Sequence, residues 1–153
     1  MPNRVALGEH LQAIIRSHKD GTEGIAVLSF DLDRFKDVND VHGHAAGDAV
    51  LRGVAERMSK ALGEGEFIAR MGGDEFVALT SNLSIDRDAS AFASRLIAAI
   101  TRPVEWEGKN LLVGTSVGIS LNPDHAHPRR AAGASGSRHV SRQGRRLKCH
   151  PAL

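Results

Sequence analysis

The residues Glu66 to Leu79, EFIARMGGDEFVAL, set two apolar runs on either side of Gly72-Gly73. A two-residue Gly-Gly loop between such runs predicts a β-hairpin, and so commits the chain to an antiparallel sheet. The acids Asp74 and Glu75 open the second arm, where a buried strand has no use for adjacent carboxylates. A turn without side chains also lets a flat base or a phosphate approach the backbone closely.

A second run ends in acids. Ile25–Asp33, IAVLSFDLD, has strand length and an apolar body, which suits the centre of a sheet covered by helices. Asp31 and Asp33 are two apart and project from one face of that strand. If the two strands are neighbours, Asp31 and Asp74 could meet. Paired carboxylates with a nearby backbone carbonyl form a hard-oxygen site suited to Mg²⁺, which usually brings substrate phosphates with it. Such a metal serves phosphoryl transfer. Plainer readings exist for each residue taken singly. The turn can be a hairpin with exposed acids, His42 and His44 a solvated loop, Asp48 a helix cap, and Lys36 and Asn39 ordinary loop polars.

Residues 4–18 place Val5, Leu7, Leu11, Ile14 and Ile15 on one helical stripe. After Gly43 and Gly47, the spacing of Leu51, Val54, Met58 and Leu62 predicts a helix from Asp48 to about residue 62. Residues 85–102 read as another, with Phe92, Leu96, Ile97 and Ile100 on one side and Pro103 as its stop. VEW and NLLVGTSVGISL supply a short strand and a longer one. The expected order is α-β-α-β-β-α-β-β, a mixed α/β domain of α+β type with a largely antiparallel sheet. The regular pattern stops near Pro123.

With 153 residues, 41% hydrophobic and 25% charged, the chain has the composition of one soluble globular domain. No apolar run approaches the roughly 20 residues of a membrane span, and no leader pattern opens the chain. Cys149 is the single cysteine, so a disulfide framework within the chain is excluded and the cytoplasm is the expected compartment. The pI near 9.0 misleads. Seven of the 20 Lys and Arg lie after Pro128 with no acid among them, which leaves 13 basic against 18 acidic residues, a net −5, over residues 1–127. Nucleic-acid binding is therefore not expected from charge. Neither G-x-x-x-x-G-K-[ST] nor H-E-x-x-H occurs to support another enzyme class.

The spaced motifs FDLDRFKDVNDVHGHAAGD and RMGGDEF, with PNRVAL at the start and VGTSVGIS at residues 113–120, closely resemble the GGDEF domain of diguanylate cyclases over about residues 1–125. The resemblance implies a nucleotidyl-cyclase and polymerase-palm type of fold, ferredoxin-like, and an enzyme that joins two GTP into cyclic di-GMP across a homodimer. By position, Asp31, the Leu32 carbonyl and Asp74 would hold Mg²⁺, with Mn²⁺ the alternative, and Glu75 would assist beside the metal. Lys36 would offset phosphate charge, while Asn39, His44 and Asp48 would bind the nucleotide, Asn39 and Asp48 through guanine. Gly72 and Gly73 would shape the turn under the substrate. Gly63 and Glu66 stand where many relatives carry the R-x-x-D at which product inhibits, and neither matches.

Both ends depart from the family pattern. MPNR opens the chain where D-x-L-T-G-L-P-N-R is usual, which suggests clipping at the N-terminus. After residue 127 the family continues into a helix of the type E-L-L-x-x-A-D-x-A-M-Y-x-A-K, whereas residues 128–153 form a basic tail without a helical stripe. Synonymous codons read one base later can give Glu-Leu-Leu-Glu-Arg-Ala-Asp-Arg-Ala-Met-Tyr-Arg-Ala-Lys-Ala-Ala-Gly. A frameshift near residue 127, with loss of the last helix and its phosphate-contacting lysine, is the expectation. The domain would then span 1–127, with an out-of-frame or disordered tail at 128–153. Two rivals remain: a catalytically silent domain that binds GTP or a protein, and an interaction protein that uses its basic tail.

Overall fold

The computed structural model describes residues 1–17, 24–83, 86–121 and 145–149. Asn3 starts the first helix, α1 (Arg4–Ser17), by accepting the Val5 and Ala6 amides on Oδ1 at 3.1 and 3.2 Å, as a helix cap does. Then follow β1 (Gly24–Asp33), α2 (Phe35–His42), α3 (His44–Lys60), β2 (Glu66–Gly72), β3 (Glu75–Leu83) and α4 (Asp86–Ile100). β4 (Val104–Trp106), β5 (Lys109–Leu111), β6 (Gly114–Leu121) and β7 (Arg145–Cys149) complete the described elements. A five-stranded sheet runs β2-β3-β1-β6-β7, and β4-β5 is a separate hairpin. Every recorded pair is antiparallel, as expected of an α+β domain.

β1 is the spine, and its alternation sorts the two sheet faces. Ala26, Leu28, Phe30 and Leu32 are buried on one face against Val50, Val54 and Met58 of α3 and Phe92, Leu96 and Ile100 of α4. On the other face, Ile25 and Val27 meet Ile14 of α1, with Leu79 and Phe67 beside them. His10 stacks on Phe67 with ring centroids 4.2 Å apart, which fixes α1 on β2. Beyond this patch Ser29 and Asp31 are exposed. β1 is thus covered on both faces over its first half only, not along its whole length as the apolar run suggested.

Several expectations are corrected. The α1 stripe is narrower than predicted: Val5 and Ile15 are 67% and 56% exposed, and Leu7, Leu11 and Ile14 face the sheet. α3 begins at His44, not Asp48, so Asp48 is an exposed residue of the helix body and caps nothing. The polar stretch before it contains α2, a helix of eight residues with only Val38 fully buried. Gly43 separates the two helices at φ 86° and ψ 164°, a conformation open essentially to glycine alone. The run 110–121 is not one strand, because Lys109–Leu111 pairs with β4 and Gly114–Leu121 with β1. Arg145–Cys149 adds an edge strand along β6 where the sequence shows no strand pattern. The expected irregular tail otherwise lies outside the described residues.

α3 is tied to the α4–β4 connection by Arg57, which donates from Nε to the Gly53 carbonyl at 3.1 Å and from Nη1 to the Arg102 carbonyl at 2.6 Å. Burial, and then the charge of Arg102, lower the Arg57 pKa from its usual value.

Candidate functional site

The hairpin that frames the site turns one residue later than the sequence suggested. Gly72 pairs with Glu75, so the loop proper is Gly73-Asp74, with a register shift between Arg70 and Gly72. Gly73 takes φ 54° at the first central position, which suits glycine in hairpin turns. Arg70 clamps the turn, donating from Nε and Nη2 to the Gly73 carbonyl at 2.9 and 2.7 Å. Sequence reasoning passed over Arg70, although its place three residues before Gly73 is the signal that could have found it.

The register then brings the acids to one end of the sheet. Asp31 lies directly opposite Glu75 on β3, and directly opposite residues in an antiparallel pair share a face. The Leu32 amide donates to the Asp74 carbonyl at 3.3 Å, so the turn is bonded to β1 beside Asp31. The cross-strand partner of Asp31 is Glu75, while Asp74 sits in the loop one residue away. Two further residues brace this end from β6. Thr115, fully buried, donates from its hydroxyl to the Asp31 carbonyl at 3.0 Å. Ser116 donates to Asp33 Oδ1 at 2.8 Å, while Asp33 Oδ2 is buried with no hydrogen-bond partner among the described residues. Neither brace was read from the sequence, since each depends on a strand more than 80 residues away.

A cleft of about 550 Å³ opens over this end of the sheet, lined among others by Asp31, Asp33, Glu75, Met71, Ser116 and Arg4. Three acids and one base leave its charge negative, which suits a cation or a cation-bearing substrate. None of the other predicted residues lines it: Leu32, Gly72, Gly73 and Asp74 belong to the strand ends and turn beside it, and the remaining four lie on helices. Lys36 and Asn39 belong to α2, His44 and Asp48 to α3. Lys36, His44 and Asp48 are exposed and Asn39 is half-buried. They form a second group on the helix elbow that follows β1, with Gly43 at its corner.

The donor set suits a hard divalent ion in one respect: carboxylates and main-chain carbonyls are all oxygen. Among the described residues no three His, Cys, Asp or Glu side chains gather into a metal-holding cluster. Two carboxylates and a carbonyl would therefore leave part of a six-oxygen shell to water and phosphate, which is how Mg²⁺ is commonly bound.

A family model described as "Diguanylate cyclase, GGDEF domain" matches residues 1–137. The diguanylate cyclase TpbB of Pseudomonas aeruginosa is 39% identical over 127 residues, covering 82% of this chain and 29% of that protein. A crystal structure of the TpbB GGDEF domain superposes with TM-score 0.76, covering 82% of this chain and 79% of that one. A sensory box/GGDEF family protein of Caulobacter crescentus is 43% identical with TM-score 0.72, covering 80% and 79%. The P. aeruginosa cyclic di-GMP phosphodiesterase NbdA is also similar, 36% identical over 81% of this chain and 16% of its own length. The chain thus spans less than a third of the curated relatives it matches. Among the described residues no helix is long and apolar enough to cross a membrane.

Proposed function

Because the chain belongs to the diguanylate cyclase GGDEF domain family, we propose that it is built to condense two GTP molecules into cyclic di-GMP with release of two pyrophosphates. The observation that carries this reading is the register of β1 on β3, which sets Asp31 opposite Glu75 with the Asp74 turn bonded at Leu32. Asp31, the Leu32 carbonyl and Asp74 would hold Mg²⁺, or Mn²⁺ in its place. When bound, that ion neutralises phosphate charge and acidifies the attacking 3′-hydroxyl. Glu75 supplies a carboxylate close to that proton, and Lys36 offsets charge on the phosphates. Gly72 and Gly73 leave room for the nucleotide over the turn. Asn39, His44 and Asp48 bind the nucleotide from the helix elbow, Asn39 and Asp48 through the base.

Each domain presents one GTP, so two copies must meet, and the reaction belongs in the cytoplasm, where GTP is made. The test is incubation of the whole chain with GTP and Mg²⁺, followed by chromatography for cyclic di-GMP. Product supports the reading. Failure to bind GTP at all overturns it.

A second reading, a domain that binds GTP without turning it over, is favoured by the similarity to NbdA, a protein named for phosphodiesterase activity. GTP binding without product would support it.

Product inhibition is not expected. Glu66 accepts the Gly63 amide at 2.5 Å and forms an ion pair with Arg95, whose guanidinium lies 5.3 Å above the Phe92 ring centre. That carboxylate is already committed within the domain, and position 63 brings no cation. Calorimetric titration should give a Kd for cyclic di-GMP weaker than about 1 µM; submicromolar binding would contradict this.

A further inference from the structure

α2 and α3 approach so closely at one point that a side chain has no room. A Cβ at position 47 would stand 2.9 Å from Asn39 Cγ and 3.2 Å from Phe35 Cζ, with Asn39 Oδ1 closer still. Real Cβ atoms essentially never come within 3.0 Å of such neighbours. Gly47 is buried in the first turns of α3, and the exposed Asp48 follows it directly. The Asn39 amide is therefore laid against the α3 backbone at Gly47, one residue before Asp48, with Phe35 beside it.

We propose that Gly47 is a positioning residue for base selection: its missing side chain is the seat that holds the Asn39 amide against the turn of α3 that carries Asp48. This rests on the GTP reading above and goes beyond it, since it concerns how the two groups are kept in register. An amide offers both a donor and an acceptor, and a carboxylate offers acceptors only. Together they match the guanine edge, which presents the O6 acceptor and the N1 and N2 donors. Adenine lacks those donors. Moving the amide off its seat leaves Asp48 able to bind but breaks the two-point match. The loss should then fall on GTP rather than on nucleotides generally.

The test uses the whole chain with GTP and ATP as probes, in four versions: unsubstituted, Gly47→Ala, Asn39→Ala and the double variant. Gly47→Ala should weaken GTP binding about tenfold, the scale of one lost hydrogen-bonding partner, with ATP binding changed less than about twofold. In the Asn39→Ala background, Gly47→Ala should change the GTP-to-ATP ratio little, because residues in contact are not additive. Equal losses for both nucleotides, or the same tenfold loss without Asn39, would overturn the proposal. If Gly47→Ala does not fold, the double variant should, because the obstructing amide is gone; a double variant that also fails to fold overturns it. An unsubstituted chain that binds no GTP overturns the function reading together with this one. GTP binding with additive losses overturns this one alone.

Discussion

Replacing Asp74 with alanine is expected to lower conversion of GTP to cyclic di-GMP by at least ~10²-fold, and Asp31→Ala is expected to do the same. The basis is where the two residues stand. Asp31 is the last exposed residue of β1 before Leu32 returns to the core, and Asp74 is held beside it by a bond made through its carbonyl, not its side chain. Truncating the Asp74 side chain leaves the Leu32 bond intact, so folding stability should change by no more than about 0.5 kcal/mol. Product measured by chromatography, with thermal melting of each variant as control, checks both parts. Turnover retained in either variant would remove Asp31 and Asp74 from the reacting centre.

The largest effect on stability is expected one residue beyond the acids. Phe76 is 0% exposed and lies directly across from Phe30, 2% exposed, between the two strands that carry the site. Phe76→Ala removes a ring from the centre of the core formed with α3 and α4, at a cost of about 3–5 kcal/mol. A domain of this size has only about 5–15 kcal/mol in total. Urea unfolding should show the midpoint falling while the slope holds, the sign of lost stability without a change in the unfolding surface. A shift below about 1 kcal/mol would mean that the site collapses to fill the space. The same variant links core to function, since Glu75 is the neighbour of Phe76 on β3 and loses its register when the strand loosens.

The sequence showed most clearly those features whose signal is local. The hairpin at Gly72, the acids at the end of β1 and the buried faces of α3 and α4 all follow from spacing or turn chemistry within a dozen residues. Met58, Val54, Leu96 and Ile100 are buried as their period predicted. α2 escaped because it is only eight residues long with Val38 its one buried side chain, and its ends are set by backbone conformation. Arg34 precedes it at φ 63° and Gly43 follows it at 86°. Val5 and Ile15 misled for the opposite reason: they fit a period, but the sheet patch under α1 is too small to cover them. In the candidate site, the residues to which the family resemblance assigns a role could be named from the sequence, whereas the braces could not. Thr115 and Ser116 reach Asp31 and Asp33 only through the pairing of β6 with β1. Arg70 was in plain view, but its role depends on how the turn folds back.

The strand order has a temporal consequence. β1 is made before both of its neighbours in the sheet, β3 and β6, and its bond from Thr115 spans 84 residues. A chain emerging from the ribosome therefore holds its central strand with one edge unpaired until residues 114–121 have been synthesised. Contacts so distant in sequence slow the search for the native state, and an apolar strand left waiting is open to pairing with another chain. The exposed Ser29 and Asp31, which serve the mature cleft, also interrupt the apolar face of that waiting edge. The same polar positions that line the cleft can thus discourage premature association during synthesis.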